Sequence, residues 1–181
     1  MEDIYTRGEK EFLLKIARIT LEKYLRDGER FQPHTINQKL WEKRGVFVTL
    51  KKLGQLRGCI GYLEPTEAII LAVRDNVISA ARDPRFLPLE FSELPEMEIE
   101  ISILTNPEQV DFKKIKKGDG VVLKRGASGA TYLPQVWEDL PEPDIFFGTL
   151  CQKAGLDADC YKDKETKFLC YQAFVFSESN Y

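Results

Sequence analysis

An arginine and a cysteine two positions apart, Arg57 and Cys59, are the residues whose types and spacing most directly suggest chemistry. They lie in the stretch 56–61 (LRGCIG), whose composition otherwise suits a β-strand. Because strand side chains alternate between two faces, we expect Arg57 and Cys59 to point to the same side. Gly58 and Gly61 lack side-chain bulk, so a ligand or another backbone could approach closely. The spacing therefore predicts a cation beside a sulfur atom.

The reactive form of Cys59 is the thiolate. An ordinary thiol, with a pKa near 8.5, is only about 3% ionised at pH 7. If the Arg57 guanidinium and any helix N-terminus lowered this pKa by about 1.5 units, roughly half of the thiol would be ionised and could act as a nucleophile. The competing interpretation is structural, because free cysteine is among the most buried residue types and Cys59 could simply fill a tight strand.

A cysteine hydrolase also needs a base, which is normally a histidine within hydrogen-bond reach of the sulfur. The chain has one histidine, His34, and it lies in an irregular segment without a recognisable motif around it. A carboxylate or a tyrosine could replace this histidine, or an arginine-activated thiolate could act without a base. The spacing does not choose among these alternatives.

A second candidate motif is the stretch 83–86 (DPRF), which places opposite charges on either side of a proline at the end of a predicted helix. The structural interpretation is a helix stop with a local ion pair and a buried Phe86. The functional interpretation is that Arg85 anchors an anionic ligand group, for which its planar guanidinium is well suited. The stretch 125–129 (RGASG) lacks a phosphate-loop pattern and is interpreted as a hairpin connection.

The other cysteines, Cys151, Cys160 and Cys170, are too few for a disulfide scaffold and form no C-x-x-C pair. We therefore expect unpaired thiols in a reduced, cytosolic setting, with Cys151 and Cys170 filling the core. The stretch 157–163 (DADCYKD) resembles a calcium loop only faintly, because it lacks an oxygen ligand and the turn glycine where they are needed. No metal site is predicted.

The composition of the chain argues against binding to nucleic acid or to membranes. The chain has 181 residues and a net charge of −3, whereas nucleic-acid binders usually present a basic face. Its one basic cluster, 113–117 (KKIKK), has no interleaved aromatic residues and is interpreted as a solvated surface. The N-terminus lacks the pattern of a signal peptide, and no apolar run is long enough to span a bilayer. We expect a soluble, cytoplasmic protein.

Periodicity and turn residues predict helices and strands that mix without strict alternation. We expect helices over 6–28, 69–83 and 144–155, the last capped by Asp144. We expect strands over 46–50, 56–62, 97–103, 121–123 and 168–176, and an extended path over 132–137. This order favours an α+β fold with a largely antiparallel sheet.

Five blocks of the sequence together resemble the AMMECR domain family. They are 45–50 (GVFVTL), 56–61 (LRGCIG), 80–86 (AARDPRF), 133–136 (LPQV) and 150–155 (LCQKAG). The resemblance extends over roughly residues 9 to 176 and implies a single domain over 1–181. It implies an α+β fold of two unequal lobes, with mainly antiparallel sheet flanked by helices and a cleft between the lobes. The larger lobe would contain both termini and the smaller one would be inserted.

The resemblance also implies which residues line that cleft. Carried over position by position, they are Arg57, Gly58, Cys59, Gly61, Asp83, Arg85, Phe86, Pro134 and Gln135. His34 matches no motif of the family, which weakens a cysteine–histidine pair. The resemblance supplies neither a reaction nor a cofactor. In some prokaryotes the domain accompanies a dioxygenase-like Memo protein and a radical S-adenosylmethionine enzyme, which suggests partners only.

Two functional hypotheses follow from the sequence. In the first, the protein is an enzyme in which Cys59, activated by Arg57, attacks a small substrate that Arg85 and Gln135 orient. In the second, the same cleft is a non-catalytic binding module for a protein, a peptide or a metabolite, and Cys59 contributes only shape. Replacement of Cys59 by serine discriminates between them, because only the first hypothesis requires the sulfur.

Overall fold

The computed structural model describes residues 4–181, which fold as two compact units. The first unit contains Met1–Leu104 and Phe174–Tyr181, and the second contains Thr105–Ala173. The fold is α+β, as the sequence predicted, with two antiparallel sheets flanked by helices. No helix in the described part of the chain is both long and apolar enough to cross a bilayer.

The first unit contains a four-stranded sheet and two long helices. In chain order these are α1 (Arg7–Asp27), β1 (Val46–Lys52), β2 (Gln55–Tyr62), α2 (Ile69–Ala80), β3 (Met97–Leu104) and β8 (Ala173–Ser177). The strand order is β2-β1-β3-β8, and β1 runs antiparallel to both β2 and β3. Alternate residues of β1 and β3 are fully buried: Val46, Val48, Leu50, Ile99, Ile101 and Ile103. The sequence predicted this period of two for the strand over 97–103.

Helix α1 begins and ends where the sequence predicts. The Thr6 hydroxyl accepts a hydrogen bond from the Glu9 backbone N–H, and the Glu9 carboxylate accepts one from the Thr6 N–H. This capping box satisfies donors that the first helical turn leaves without partners. Gly28 ends the helix in the left-handed conformation, with φ at 71°, which glycine adopts at little cost. Helix α1 packs against α2 and β3.

The hairpin of β1 and β2 contains an irregularity that the sequence analysis did not predict. Lys51 pairs with Leu56, but Leu50 pairs with Gly58, so Arg57 has no partner on β1. An extra residue on one strand is a β-bulge, which locally disrupts the ladder and the regular alternation of side chains. The bulge lies between the hairpin turn and Cys59.

The second unit contains the other sheet and two shorter helices. Its elements are β4 (Glu108–Val110), β5 (Gly120–Arg125), β6 (Ser128–Tyr132), α3 (Val136–Asp139), α4 (Pro143–Lys153) and β7 (Lys167–Tyr171). The strand order is β4-β7-β5-β6, and every pair is antiparallel. Aromatic rings dominate the core, with Trp137 stacked on Phe146 at a centroid distance of 3.7 Å. The Trp137 indole N–H donates to the backbone C=O of Asp119.

The expectation that all cysteines are unpaired is wrong for two of them. Cys151 of α4 and Cys160 form a disulfide, whereas Cys59 and Cys170 are free thiols. Cys160 belongs to the short 3-10 helix Cys160–Lys162, which lies against α4. Sequence spacing did not indicate this pair, because the two cysteines meet only when α4 and the segment after it fold back together.

Other predicted elements also differ, among them the helix expected over 69–83, which ends at Ala80. The stretch 168–176 forms two strands of different sheets, because the backbone of Gln172 bonds to Thr105 in both directions and interrupts the ladder. The expected extended path over 132–137 is wrong, since β6 ends at Tyr132 and a helix begins at Val136. Asp144 is not the cap of α4, which begins at Pro143, and its carboxylate instead accepts a hydrogen bond from the Tyr161 hydroxyl.

Candidate functional site

Cys59 lies in β2, an edge strand of the sheet in the first unit. It is directly opposite Thr49 of β1, and its backbone N–H and C=O bond to residues that follow α2. The backbone groups on the outer side of an edge strand have no strand partner and must bond elsewhere. The segment Asp83–Arg85 supplies those partners at Cys59.

The carboxylate of Asp83 is the buried centre of this arrangement, with its side chain only 1% exposed. Helix α2 ends at Ala80. The helical conformation is disfavoured for a residue that precedes a proline, so Asp83, which precedes Pro84, lies outside the helix. Its Oδ2 accepts the Cys59 backbone N–H at 2.9 Å, and its Oδ1 accepts the Arg85 backbone N–H at 3.1 Å. A buried carboxylate requires such donors, because removing it from water is otherwise very costly.

The guanidinium of Arg85 completes the arrangement. Its Nε donates to Asp83 Oδ1 at 3.0 Å and its Nη2 to Oδ2 at 2.6 Å, a two-point ion pair. These bonds hold the pKa of Asp83 well below its usual range, although burial opposes the shift. Nη2 also donates to the Cys59 C=O at 3.3 Å. The Arg85 side chain is 57% exposed and lies over the Phe86 ring, so it is a fixed cation that an anion can reach.

The thiol of Cys59 is half-buried, and a hydroxyl lies beside it. Thr49 Oγ1 donates to Cys59 Sγ at 3.2 Å, and an O–H donor stabilises a thiolate more than a thiol. The pKa of Arg85 is raised mainly by its hydrogen bonds to Asp83, against the effect of burial, with a smaller contribution from Cys59. The direct contact between the two residues is the hydrogen bond from Arg85 Nη2 to the Cys59 backbone C=O. His34 is exposed and, within residues 4–181, makes no hydrogen bond to Cys59.

Arg57 directs its guanidinium to other groups. Its Nε and Nη2 donate to the two Glu93 carboxylate oxygens at 3.1 and 2.9 Å, and its Nη1 donates to the Leu87 C=O at 2.9 Å. These bonds are the main reason that the pKa of Glu93 falls to about 2. The alternation that placed Arg57 beside the sulfur is interrupted by the bulge. In the described contacts, the cation that binds Cys59 is Arg85, and it does so through the backbone C=O.

The two glycines of the stretch 56–61 are required by packing. A Cβ atom on Gly58 would lie 2.1 Å from the backbone oxygen of Ala80, at the end of α2. A Cβ atom on Gly61 would lie 2.3 Å from the backbone oxygen of Val46. Both distances are shorter than real carbon atoms tolerate, so the closely approaching backbone that the sequence suggested belongs to this chain itself.

Pro134 and Gln135 lie in the second unit, in the turn that leads into α3. Their backbone C=O groups accept hydrogen bonds from Trp137 and Glu138, and the Gln135 side chain is exposed. The structure brings Cys59, Asp83, Arg85 and Phe86 together in the first unit. The cleft between lobes that would add Pro134 and Gln135 to them stays a prediction.

Sequence reasoning missed Thr49 and Glu93. Counting back from a regular two-residue hairpin turn would have placed Gly58, and not Cys59, opposite Thr49. The bulge at Arg57 shifts the register by one and brings the thiol to Thr49. Glu93 follows the candidate motifs by several residues, and no local pattern connects it with Arg57.

The arrangement offers a half-buried thiol, a hydroxyl donor and an exposed guanidinium. Arg85 can bind an anionic group of a substrate or of a cofactor. Residues 4–181 contain no cluster of three or more histidine, cysteine or acidic side chains arranged to hold a metal ion.

Comparisons with known proteins show which proteins this chain resembles. The family model named AMMECR1 matches residues 14–176. A protein of Methanothermobacter thermautotrophicus is 40% identical, with 96% of each chain covered. A protein of Methanopyrus kandleri is 38% identical, with 98% of this chain and 92% of the relative covered. The crystal structure of the protein PH0010 from Pyrococcus horikoshii is similar at a TM-score of 0.84 and 36% identity, over 93% of this chain and 91% of that one.

Proposed function

This chain belongs to the AMMECR1 family, and we propose that it is an enzyme that uses the Cys59 thiol on a small substrate carrying an anionic group. One observation carries the proposal: the buried Asp83 carboxylate binds both the backbone of Cys59 and the exposed guanidinium of Arg85. A single rigid group thus holds a nucleophile and an anion-binding side chain together. Such fixed geometry lowers the entropic cost of reaction.

In the proposed reaction, Arg85 binds the anionic group and the Cys59 thiolate attacks an electrophilic carbon of the substrate. The sulfur–carbon bond forms as the bond to the leaving group breaks, and the leaving group departs with the electron pair and takes a proton from water. Water then displaces the sulfur and regenerates the thiol. Thr49 stabilises the thiolate before the attack and after the release of product, through its hydroxyl.

Arg57, which the sequence analysis assigned to activation of the thiol, is here proposed as a positioning residue. It ties the bulge of β2 to the segment that follows Arg85, through Glu93 and the backbone of Leu87. Movement of that segment would move Asp83 and Arg85 relative to Cys59. Arg57 thus acts on the thiol through the backbone.

The second candidate is a non-catalytic binding module, in which Arg85 binds an anionic ligand and Cys59 contributes shape. It is favoured by the lack of a general base among the described contacts of the thiol. The described contacts of Cys59 Sγ include the Thr49 hydroxyl but no histidine or carboxylate that could act as a base. Both candidates require Arg85 to bind an anion, and only the first requires a reactive sulfur.

The test is the rate at which Cys59 is alkylated by iodoacetate, an anion, relative to iodoacetamide, its neutral analogue. We expect Cys59 to favour the anion more than free cysteine does, because Arg85 attracts the carboxylate. Arg85→Gln should reduce this preference about two- to fivefold, the effect of one exposed ion pair. Mass spectrometry separates Cys59 from Cys170, whose pKa is raised to about 11, mainly by burial and also by Asp119.

The matched control is Arg82→Gln, which removes an exposed arginine that follows the same helix but pairs with Tyr24. It should leave the preference unchanged. If Cys59 is inert in the folded protein up to pH 9 while Arg85-dependent anion binding persists, the binding module replaces the enzyme. If Arg85→Gln changes neither reactivity nor anion binding, both candidates are wrong.

The expected cytoplasmic location and the Memo-like and radical S-adenosylmethionine partners belong to the same proposal. The partners are supported by the sequence resemblance. The location is supported by the free thiols of Cys59 and Cys170, whereas the Cys151–Cys160 disulfide departs from the fully reduced state that the sequence predicted. Affinity purification of the chain from a native host, with the Arg85→Gln variant in parallel, tests whether such partners are retained and whether they depend on the proposed site.

A further inference from the structure

A second surface, in the unit Thr105–Ala173, concentrates positive charge around an open groove of about 760 Å³. Its walls come from the end of β4, the 3-10 helices Phe112–Lys114 and Cys160–Lys162, and the beginning of β7. Four exposed lysines line it: Lys113, Lys162, Lys164 and Lys167. We call this surface the basic groove.

The positive charge of the basic groove exceeds the negative charge of the carboxylates that line it. In the described part of the chain, none of its four lysines forms an ion pair, although most arginines of the molecule do. Two carboxylates also line the groove, against four lysines. Asp163 pairs with Arg125 at 2.8 Å, and Asp111 accepts the backbone N–H of Lys113 at 3.0 Å, a bond that leaves its negative charge in place. The groove therefore retains a net positive charge.

The sheet beside the groove shows independently that positive charges lie close together without a compensating negative charge. Lys124 of β5 lies directly opposite Lys167 of β7, and both side chains are exposed. Like charges at directly opposite positions of neighbouring strands destabilise a sheet. A bound anion relieves this repulsion. Lysines that serve only solubility need not lie directly opposite each other. Lys114, Lys116 and Lys117 extend the same charge beyond the rim.

The side chains at the floor of the groove suit an acidic peptide better than a nucleic acid. Phe112, Tyr161 and Phe168 lie beneath the lysines, but Tyr161 and Phe168 are buried and their rings pack against other aromatic rings. No open ring face is left at those two residues for a nucleic-acid base to stack on. Asp111 and Asp163 interrupt the positive charge, which suits spaced carboxylates better than a continuous phosphate chain.

We propose that the basic groove binds an acidic peptide segment of a partner protein. Spaced glutamate or aspartate side chains pair with the lysines, and apolar side chains of the peptide contact the exposed part of Phe112. The wall that contains Lys162 is set in advance, because the disulfide of Cys160 joins it to α4. A preformed wall reduces the ordering cost of binding. The proposal is independent of Cys59 and of its chemistry.

Fluorescence anisotropy with a labelled peptide that alternates glutamate and leucine tests the proposal. We expect binding that weakens as salt rises, because charges are screened beyond about 8 Å at physiological ionic strength. Lys164→Glu/Lys167→Glu should lower the affinity at least about tenfold, since two attractions become repulsions. A peptide with glutamine in place of glutamate should bind much more weakly.

The matched control is Lys15→Glu/Lys43→Glu, which makes the same change of charge at two exposed lysines of the first unit. It should leave the affinity within about twofold of the parent, because those positions lie outside the groove. Circular dichroism establishes that each variant is folded, and Lys164→Gln/Lys167→Gln replaces the first variant if it is not. Equal losses in both double variants would overturn the proposal. Tighter binding of single-stranded DNA through the same lysines would also overturn it.

Discussion

Asp83 connects three groups that would otherwise be mobile or unsatisfied: the edge-strand N–H of Cys59, the backbone of Arg85 and the Arg85 guanidinium. Because this carboxylate is buried, its charge is weakly screened and its bonds are strong. Its pKa is held well below the usual range, chiefly by Arg85, so it stays ionised at all physiological pH values. One carboxylate thus gives a long, exposed side chain a defined position beside a thiol.

The sharpest prediction for a single residue concerns Gly58. Gly58→Ala places a Cβ atom 2.1 Å from the Ala80 backbone oxygen, so β2 or the end of α2 must shift. We expect a loss of at least about 1–3 kcal/mol in the free energy of unfolding, the usual cost of overpacking, measured by urea denaturation.

The matched control for this prediction is Gly8→Ala in the first turn of α1. A Cβ atom on Gly8 would have no other atom within 4 Å, so alanine should be neutral or should stabilise the helix by up to about 1 kcal/mol. Equal stabilities of the two variants would contradict the packing role assigned to Gly58.

At the scale of elements, side-chain hydrogen bonds connect the bulge of β2 to the segment after α2. Arg57 occupies the bulge and binds Glu93, whose carboxylate also binds Lys52 of β1. Both Arg57 and Glu93 are largely buried, at 15% and 17% side-chain exposure. The hydrogen bonds among them fix the hairpin to the segment that contains Asp83 and Arg85.

This pairing predicts how stability depends on pH. The pKa of Glu93 is lowered from 4.5 to about 2 in the folded protein, mainly by Arg57. A group with a depressed folded pKa stabilises the protein above its unfolded pKa, and that contribution is lost as the pH falls towards its folded pKa. We expect stability to decline between about pH 5 and pH 2 and this decline to be shallower in Glu93→Gln. Urea denaturation at several pH values measures both slopes, and parallel slopes would refute the assignment.

The helices and strands themselves were largely predictable, because the residue patterns that specify them are local. The apolar period of α1 and α2 and the alternation of β1 and β3 are readable within a short window, and the capping residues Thr6 and Gly28 mark the ends of α1. The stretch 168–176 was misread as one strand because it is continuously β-prone. Its division depends on the backbone bonds of Gln172 to Thr105, which is distant in sequence.

At the scale of the whole molecule, each unit has its own hydrophobic core. Residues of both helices and of the β2-β1-β3-β8 sheet form one core, and an aromatic cluster around Phe146 and Phe147 forms the other. The disulfide joins two segments of the second unit alone. Each unit also contains one tryptophan, Trp41 in the first and Trp137 in the second, which serve as separate reporters.

Reduction of the disulfide should therefore destabilise the unit that contains it. A cross-link that closes a short loop stabilises by about 2–3 kcal/mol, mainly through the unfolded state. In Trp41→Phe, the fluorescence of Trp137 should report a lower urea midpoint after reduction. Cys151→Ser/Cys160→Ser should show the low midpoint with or without reductant. An unchanged midpoint in the reduced parent would show that the cross-link contributes nothing to stability.

The sequence alone was sufficient for the fold class and for most helices and strands, because periodicity and turn chemistry act over a few residues. The candidate residues Cys59, Asp83 and Arg85 came from short motifs and from the family resemblance, and their roles stay a prediction. Only the tertiary structure decided their partners. The bulge at Arg57 changes the strand register, so the thiol meets Thr49 and the Arg57 guanidinium binds Glu93. Hydrogen bonds between distant segments, and the disulfide between α4 and the short helix that follows it, depend on the three-dimensional path of the chain, which local residue spacing does not specify.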